Sequence, residues 1–367
     1  MPENTYNFSS GPAMLPRDVM TEVQRDLLDW KGLRRSVMEI SHRSRPFMDM
    51  MQKAEADFRD LLAIPDNYQV LFVHGSASHQ FAMIPMNLSK NGVADYIDTG
   101  TWSHKAIKEA EKFTRVNVTQ GLKIDEHGIN HLQSFSEWSL SEDPDYLFYT
   151  PNETIAGLQY HLIPDTQELY GKDVPLVADM SSCILSEPID VSKFGIIFAG
   201  AQKNIGTSGL TMLIIRDDLI RTTDDKVPTL FRYQTYKDYH SLYNTPAVFP
   251  VYISGLVFNW IKISGGLDKM SEINHRKASK LYHAIDSNGF YHNPNADSVR
   301  SIMNVPFLLE DESKNEHFIQ MAESQGLFAL EGHRSVGGMR ASIYNAMPES
   351  GIDKLISFLE EYALKIS

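Results

Sequence analysis

Short, continuous runs of apolar residues alternate with longer amphipathic segments between residues 69 and 216. The runs are rich in β-branched and aromatic residues, and six of them predict strands: QVLFVH (69–74), ADYIDT (94–99), DYLFYT (145–150), PLVADM (175–180), GIIFAG (195–200) and LTMLIIR (210–216). The segment SHKAIKEAEKF (103–113) is one of the helical patterns between them. Because the runs are continuous rather than alternating, we expect strands covered on both faces, as in a mostly parallel sheet between two layers of helices.

The last hundred residues follow a different pattern. Helical and strand-like segments succeed one another there, at 268–288, 301–309, 314–325, 327–331, 338–344 and 350–364. This order is typical of a small α+β domain. With Gly265-Gly266 as a candidate hinge, we expect a large domain over 16–264 and a small domain made of 1–15 and 265–367.

Composition and charge argue against several classes of protein. The chain has 34 basic and 47 acidic residues and a net charge of −13, so no nucleic-acid partner is expected. The longest apolar stretch, 247–263, is interrupted by Pro250 and Lys262 and predicts a buried helix rather than a membrane span. Cys183 is the only cysteine, and the N-terminus lacks the basic start and apolar core of a signal peptide, so we expect a cytoplasmic protein. The histidines show no metal-ligand spacing, so no metal is expected.

One lysine stands among small residues between two strongly apolar runs. Lys203 follows the predicted strand 195–200, and Asp179 ends the predicted strand before it. In an open α/β sheet, ligands gather at the carboxyl ends of the strands. Pyridoxal phosphate (PLP) requires such a pair, because an amine forms the Schiff base and a carboxylate keeps the pyridine nitrogen protonated. A lysine in a surface turn and a capping aspartate are the structural alternative, and spacing alone does not separate the two readings.

Seven motifs follow one another along the chain: FSSGPAMLP (8–16), EISHRS (39–44), PNETIAG (151–157), VADMSSCILS (177–186), AGAQKNIGTSGLT (199–211), YNTP (243–246) and GHRSVGGMRASIYNAM (332–347). Together they resemble the phosphoserine aminotransferase family of class-V, fold-type I, PLP-dependent enzymes, from about residue 6 to the C-terminus. The resemblance implies an α/β fold, with a mostly parallel seven-stranded sheet in an α/β/α sandwich and a small C-terminal α+β domain. It also makes Lys203 and Asp179 the catalytic pair.

The activity that the resemblance implies is reversible transamination between glutamate and 3-phosphohydroxypyruvate. The products would be O-phosphoserine and 2-oxoglutarate, in serine biosynthesis. Some members of the family also act on a phosphorylated hydroxythreonine in vitamin B6 synthesis, and the sequence leaves that activity open.

Small residues after the strand 69–74 lead into a helix, whose N-terminus offers N–H groups and a positive dipole end to a phosphate. By resemblance, Ala77 and Ser78 occupy the phosphate-binding positions of the family. The chain has Ser78 where one common version of the motif carries an arginine. Arg45 and His79 are the candidates to supply the missing positive charge.

The remaining cofactor contacts are also implied by the resemblance. Trp102 would stack on the pyridine ring, Thr154 would lie near its phenolic oxygen, and Gln202 would bind the phosphate. Asn244 and Thr245 match a pair that reaches the phosphate from the partner subunit. The chain is therefore expected to form a homodimer whose active sites are shared between subunits.

Arginines and histidines concentrate in two short motifs, SHRSR (41–45) and GHRSVGGMR (332–340), although the chain is acidic overall. Guanidinium groups bind carboxylates and phosphates through paired, charge-assisted hydrogen bonds. Gly337-Gly338, next to Arg340, indicates a close approach of the backbone to another group. The substrate-binding residues implied by the resemblance are Ser10 and Arg340 at the α-carboxylate, and His42, Arg43, His333 and Arg334 at the distal anion.

Three rival functions are less compatible with the sequence. An alanine– or serine–glyoxylate aminotransferase shares the fold type but would not need four basic residues at the distal end of its substrate. A cysteine desulfurase needs a catalytic cysteine on a mobile loop, whereas Cys183 lies in an apolar run just after Asp179. A cofactor-free binding protein of the same fold would lack the yellow colour of bound PLP.

Overall fold

The computed structural model describes residues 5–221, 223–334 and 336–366, so that residues 1–4, 335 and 367 of the predicted small domain, and 222 of the large one, lie outside the described residues. The strands in the described part are β1 (Tyr6–Asn7), β2 (Tyr68–His74), β3 (Val93–Asp98), β4 (Arg115–Gln120), β5 (Leu122–Ile124), β6 (Asn130–Leu132), β7 (Leu147–Tyr149), β8 (Asn152–Glu153), β9 (Leu158–Gln159), β10 (Leu176–Asp179), β11 (Ile196–Gly200), β12 (Leu210–Arg216), β13 (Tyr291–His292), β14 (Asn304–Leu309), β15 (Leu327–Phe328) and β16 (Met339–Ser342). The helices are α1 (Arg17–Asp26), α2 (Arg45–Leu62), α3 (Ser78–Leu88), α4 (Thr101–Ala110), α5 (Thr166–Tyr170), α6 (Tyr233–Asp238), α7 (Val248–Ile263), α8 (Gly266–Asp286), α9 (Asn315–Ser324) and α10 (Glu349–Ile366).

A seven-stranded sheet in the order β2-β12-β11-β10-β7-β3-β4 forms the centre of the segment predicted to be the large domain. The pairs β11–β10, β10–β7, β7–β3 and β3–β4 are parallel, whereas β12 is antiparallel to both β11 and β2. The mostly parallel sheet is therefore confirmed. All six predicted strands belong to it, each displaced by no more than two residues at either end.

The seventh strand, β4, has no counterpart among the six predicted runs. Its sequence, RVNVTQ, alternates with polar residues, and only one of its six residues is buried. It pairs on one side only, with β3, at the edge of the sheet. An edge strand is covered less than a central one, so it carries no continuous apolar run.

Apolar side chains leave both faces of the sheet in alternation, as the pleat of a strand requires. Along β11, Ile197 and Ala199 join one buried cluster, which contains Phe58 of α2 and Phe258 of α7. Ile196 and Phe198 join another, which contains residues of α3 and α4. Two layers of helices thus enclose the sheet, and the α/β/α sandwich is confirmed.

The apolar stretch 247–263 forms α7, as the sequence predicts for a buried helix. It packs on α2, where the rings of Phe58 and Phe258 have centroids 4.9 Å apart. Within the described residues, no helix alone combines the length and apolar content that a bilayer crossing demands. Helices α7 and α8 reach that content only when taken together, and they meet at an angle of 86°.

A third buried cluster unites the C-terminal elements with the start of the chain. It contains Phe8 together with side chains from α8, α9, α10 and the three-stranded sheet β13-β14-β16. Strand β1 pairs in parallel with β15, which ties the N-terminal segment to this unit. The first turns of α8, with Leu267 and Met270, pack instead on the cluster of the large domain. The domain limits at 15/16 and 264/265 therefore stay a proposal, supported by the separation of these clusters.

Candidate active site

Lys203 lies in the loop that joins β11 to β12. The two strands are antiparallel, and the N–H of Ala201 donates to the carbonyl of Leu210 at 2.9 Å, which closes the loop at its base. The loop turns back over the sheet, so Lys203 is only 8 % exposed. Its Nζ donates to the Oγ1 of Thr154 at 2.6 Å. Thr154 follows β8, so two loops that are far apart in sequence meet at the amine.

Asp179 is the last residue of β10, the strand next to β11. Its carboxylate accepts hydrogen bonds from the backbone N–H of Ser181 at 3.0 Å and from the Ser181 hydroxyl at 2.5 Å. The Ser181 Oγ in turn accepts from the N–H of Gly200, at the end of β11. Ser181, which the sequence analysis did not assign, therefore fixes the carboxylate against the strand that leads to Lys203.

The Lys203 cavity is a small space at the carboxyl end of these strands. Its lining contains six of the predicted cofactor residues and three others: Ala77, Ser78, Trp102, Asp179, Gln202, Lys203, Ser76, Phe81 and Ser181. Lys203 and Asp179 therefore line one cavity at the carboxyl ends of neighbouring strands, as the sequence predicts.

Burial dominates the electrostatics of the cavity. It lowers the pKa of the Lys203 amine, although the carboxylates of Asp179 and Glu153 oppose that shift. It raises the pKa of the Asp179 carboxyl, while Lys203 and the hydrogen bonds from Ser181 act in the opposite direction. An amine with a lowered pKa is a better nucleophile and proton acceptor near neutral pH than a surface lysine.

The indole of Trp102 forms an aromatic wall of the cavity. Trp102 is in the first turn of α4, and its ring centroid lies 5.3 Å from the Nζ of Lys203. The Nζ of Lys105 lies over the same ring at 4.6 Å. The indole Nε1 of Trp102 is buried and has no hydrogen-bond partner among the described residues. A flat apolar surface beside the amine suits the stacking of a heteroaromatic ring.

The N-terminus of α3 faces the cavity through Ala77 and Ser78. Gly75 precedes it at φ +108°, and a Cβ there would lie 2.8 Å from the ring of His79. The Nδ1 of His79 accepts from the N–H of Ser76 at 3.1 Å, so this ring is folded back on its own loop. Arg45 pairs with Asp49 on the surface. Neither side chain lines the Lys203 cavity in the described chain.

The N-terminal segment passes between Lys203 and the C-terminal elements. Gly11 packs against the side chain of Lys203, since a Cβ on Gly11 would lie 3.4 Å from the Lys203 Cγ. The Oγ of the adjacent Ser10 accepts from the Nη2 of Arg340 at 2.8 Å, and its carbonyl accepts from the hydroxyl of Tyr344 at 2.9 Å. This segment therefore links Lys203 to Arg340, which is on β16 of the small domain.

Arg340 is 9 % exposed and incompletely paired. Its Nε and Nη1 are buried without a hydrogen-bond partner among the described residues. Burial lowers the pKa of the guanidinium from its ordinary value. Buried charged donors are normally satisfied, so two unpartnered nitrogens on one guanidinium indicate a binding position for an anion.

The glycines before Arg340 serve the chain's own backbone. A Cβ on Gly338 would lie 2.9 Å from the carbonyl oxygen of Phe307, in β14. A Cβ on Gly332 would lie 2.1 Å from the carbonyl oxygen of Gly337, so the loop closes on itself. The close approach expected from Gly337-Gly338 is therefore internal to the small domain.

Nine predicted site residues do not line the Lys203 cavity in the described chain, and three of them, Ser10, Thr154 and Arg340, are linked to Lys203 through the contacts above. The other six belong to more exposed segments. All six lie in loops or turns, and all except the half-buried His42 are exposed: Asn244 and Thr245 before α7, His42 and Arg43 before α2, and His333 and Arg334 between β15 and β16. Their assigned roles stay predictions.

The residues that do converge fit PLP. A buried amine, a carboxylate, an aromatic face and a helix N-terminus are the groups that its aldehyde, pyridine nitrogen, ring and phosphate require. No group of three histidine, cysteine or acidic side chains in the described ranges is arranged to hold a metal ion. The donor set of the cavity is thus that of an organic phosphate cofactor.

Comparisons with known proteins agree with this geometry. The model of the class-V aminotransferase family matches residues 5–355. The phosphoserine aminotransferase of Hahella chejuensis is 51% identical over 364 residues, which cover 99% of each chain. The structure of phosphoserine aminotransferase from Bacillus circulans subsp. alkalophilus superimposes with a TM-score of 0.94 at 41% identity, over 100% of both chains. The PLP-bound phosphoserine aminotransferase of Trichomonas vaginalis gives a TM-score of 0.90 at 36% identity, over 97% of this chain and 99% of that one. The chain therefore belongs to the class-V aminotransferases and, within them, to the PLP-dependent phosphoserine aminotransferase family.

Proposed function

We propose that this enzyme transfers the amino group of glutamate to 3-phosphohydroxypyruvate, which gives O-phosphoserine and 2-oxoglutarate, in reversible half-reactions that share one pocket. The observation that carries the proposal is the pair of buried guanidinium nitrogens on Arg340, Nε and Nη1, that have no partner among the described residues, together with the N-terminal segment that joins Arg340 to Lys203. The Arg340 position is suited to hold a carboxylate, and the Lys203 position holds an amine. Every substrate of this reaction carries a carboxylate beside the carbon that gains or loses the amino group.

Lys203 would bind the cofactor and then move the proton of the substrate α carbon. When PLP is bound, it supplies an electron sink for the negative charge formed at that carbon. The Nζ of Lys203, with its pKa lowered by burial, accepts and returns the proton as a general base and acid. Asp179 would hold the proton of the pyridine nitrogen, and its own orientation is fixed by Ser181.

The distal anion of the substrate would be bound by basic side chains from outside the cavity. His42, Arg43, His333 and Arg334 are the candidates, by resemblance to the family. A pocket with several guanidinium and imidazole groups accepts both the phosphate of phosphoserine and the side-chain carboxylate of glutamate. This substrate pair separates the proposal from an alanine– or serine–glyoxylate aminotransferase, whose substrates have no such anion.

A cysteine desulfurase is disfavoured by the position of Cys183. Burial raises the pKa of its thiol, which disfavours the thiolate nucleophile. Cys183 lines a different cavity from the one that Lys203 lines. We also propose a cytoplasmic homodimer in which Asn244 and Thr245 reach the site of the partner subunit, because both are exposed in one chain.

Two measurements test the function. Borohydride reduction of the PLP-loaded enzyme, followed by mass analysis of its peptides, should place the added mass on the peptide that contains Lys203. A coupled assay with glutamate as donor should then compare 3-phosphohydroxypyruvate, unphosphorylated hydroxypyruvate and glyoxylate. A strong preference for the phosphorylated acceptor is expected, and equal rates for all three would refute the substrate assignment. The phosphorylated hydroxythreonine precursor, run in the same assay, decides the vitamin B6 activity.

A further inference from the structure

Glu153 is a buried carboxylate beside the Lys203 cavity that the reaction does not use. It is 0 % exposed and ends the short strand β8, so the next residue is Thr154. The side-chain hydrogen bonds of Glu153 in the described structure come from neutral groups, on Thr99, Trp102 and Ser103. A carboxylate buried without a cation is costly, so its retention requires a reason.

The carboxylate of Glu153 caps the first turn of α4. Its Oε1 accepts from the backbone N–H of Ser103 at 3.0 Å and from the Ser103 hydroxyl at 2.9 Å. Its Oε2 accepts from the backbone N–H of Trp102 at 3.3 Å. A negative charge at a helix N-terminus is favourable, because it pairs with unsatisfied N–H groups and with the positive end of the dipole.

Gly100 permits this contact. A Cβ at that position would lie 3.0 Å from the Glu153 Cδ, so a side chain there would displace the carboxylate or the helix. The cap is thus supplied by a residue about fifty positions away rather than by the residue before the helix.

Glu153 is therefore connected to two sides of the cofactor site, to one through its side chain and to the other through its backbone. Its side chain holds the backbone of Trp102, whose indole lies 5.3 Å from the Lys203 Nζ. Its peptide bond leads directly to Thr154, whose hydroxyl contacts the same Nζ. A shift of Glu153 would change the spacing between the aromatic wall and the amine.

We propose that Glu153 is a positioning residue of the cofactor site: its carboxylate fixes the start of α4, and with it the Trp102 indole, against Thr154 and Lys203. The proposal rests on the assignment of Lys203 and Trp102 to PLP. Labelling of Lys203 in the unmodified enzyme tests that assignment separately, so its failure and the failure of the role of Glu153 would be distinguishable.

The test substitutes Glu153→Gln and titrates the apoenzyme with PLP. Glutamine keeps the shape of the side chain, but its amide NH2 group would face one of the backbone N–H groups at the start of α4. We expect the PLP dissociation constant to rise roughly ten- to a hundredfold, the range of a hydrogen bond to a charged group. The circular dichroism of the PLP absorption band should fall at saturation, because the ring would no longer have one fixed orientation.

Asp95→Asn is the matched control. Asp95 is also 0 % exposed, and within the described ranges its carboxylate accepts hydrogen bonds from neutral side chains and backbone, among them the Tyr170 hydroxyl at 2.7 Å. It belongs to β3 and does not line the Lys203 cavity. It should lower the melting temperature and leave the PLP dissociation constant and the dichroism unchanged. If Asp95→Asn weakened PLP binding as much as Glu153→Gln does, both effects would reflect general destabilisation, and the proposal would be overturned.

A double-substitution cycle identifies the route of the effect. Trp102→Phe should itself weaken PLP binding, and Glu153→Gln should lose most of its effect in that background, since both act through the same ring. Additive effects, or wild-type affinity and dichroism in Glu153→Gln, would overturn the proposal. Should Glu153→Gln fail to fold, Ser103→Ala removes one of the donors to the carboxylate and should raise the dissociation constant by a smaller factor. An unchanged constant in that variant would overturn the proposal as well.

Discussion

The Nζ of Lys203 and the Oγ1 of Thr154 lie 2.6 Å apart, although the two residues belong to different loops. A hydroxyl can accept from an ammonium group or donate to a neutral amine, so this contact holds the lysine in either protonation state. The carboxylate of Asp179 lines the same cavity. Thr154 therefore positions the amine without neutralising it, which suits a group that must gain and lose a proton.

Removal of the amine should abolish turnover and leave the fold intact. We expect Lys203→Ala to reduce kcat by at least about a thousandfold, within the range that a positioned proton-transfer group contributes. The fold should persist, because the substitution removes a buried charge that opposes folding together with the packing of the lysine stem. Steady-state kinetics and denaturant unfolding measure the two effects. Near-normal turnover would contradict the assignment of Lys203.

Lys277 provides the contrast, because it is buried for a structural reason. Its Nζ donates to the backbone carbonyls of Ile343, Tyr344 and Met347 at 3.0, 2.8 and 3.0 Å. Lys277→Met would leave these buried acceptors unpaired and should cost about 3 kcal/mol of stability. The two lysines should thus separate cleanly, one losing activity and the other losing stability.

The stability of the apoenzyme should depend on pH through Lys203. Because burial lowers its pKa in the folded state below the ordinary value of 10.5, the unfolded chain binds more protons between the two pKa values. The free-energy penalty of burying the charged lysine is therefore fully present when the pH is below the pKa of the folded state. It disappears as the pH rises through 10.5. Lys203→Met should be more stable than the wild type at neutral pH, and this advantage should shrink with rising pH, by at most about 1.4 kcal/mol per pH unit. Denaturant unfolding of both apoproteins from neutral to alkaline pH measures the difference, and an advantage that grew with pH would contradict the shift.

Arg340 should control the affinity for every amino donor. Its Nε and Nη1 have no partner in the described chain, so a bound carboxylate would be the group that satisfies them. We expect Arg340→Ala to raise KM for glutamate and for phosphoserine at least about tenfold, as the loss of a hydrogen bond to a charged group requires. Initial-rate kinetics in both directions provide the measurement.

Arg216 is the matched control for this substitution. It is also largely buried, but its guanidinium pairs with Asp173 and Asp218 outside the Lys203 cavity. Arg216→Ala should lower the melting temperature and leave both KM values unchanged. Equal effects of the two arginine substitutions on KM would contradict a specific role for Arg340.

The sheet could be predicted from sequence wherever burial is complete. All residues of β10 and β11 are buried, so their continuous apolar runs identified them. Strand β4 was missed because an edge position removes the need for such a run. The loop that carries Lys203 was identified because apolar runs flank it on both sides, and these runs form the buried strands β11 and β12.

The site could be predicted only for residues that stand at strand ends or in recognisable motifs. Asp179 and Lys203 meet this condition, whereas Ser181 and Glu153 act through hydrogen bonds that the linear sequence does not display. Ser181 contacts Gly200 across two strands, and Glu153 contacts Ser103 fifty residues away. The triplet Asn-Glu-Thr, in which Glu153 precedes Thr154, was the one available signal.

A mixing experiment tests whether the active site is shared between subunits. Asn244 and Thr245 are exposed and do not line the Lys203 cavity of their own described chain. If they reach the cavity of the partner subunit, a chain with Lys203→Ala and a chain with Asn244→Ala and Thr245→Ala complement each other. The hybrid dimer then combines the intact lysine of one chain with the intact loop of the other, in one of its two sites. Random reassociation of equal amounts should restore about a quarter of the wild-type activity at a PLP concentration that saturates the wild-type site but not the substituted one, since half of the dimers are hybrid and each has one intact site. If the lysine and the loop of each site came from the same chain, no hybrid dimer would contain an intact site. The activity would then stay at the average of the two parent proteins.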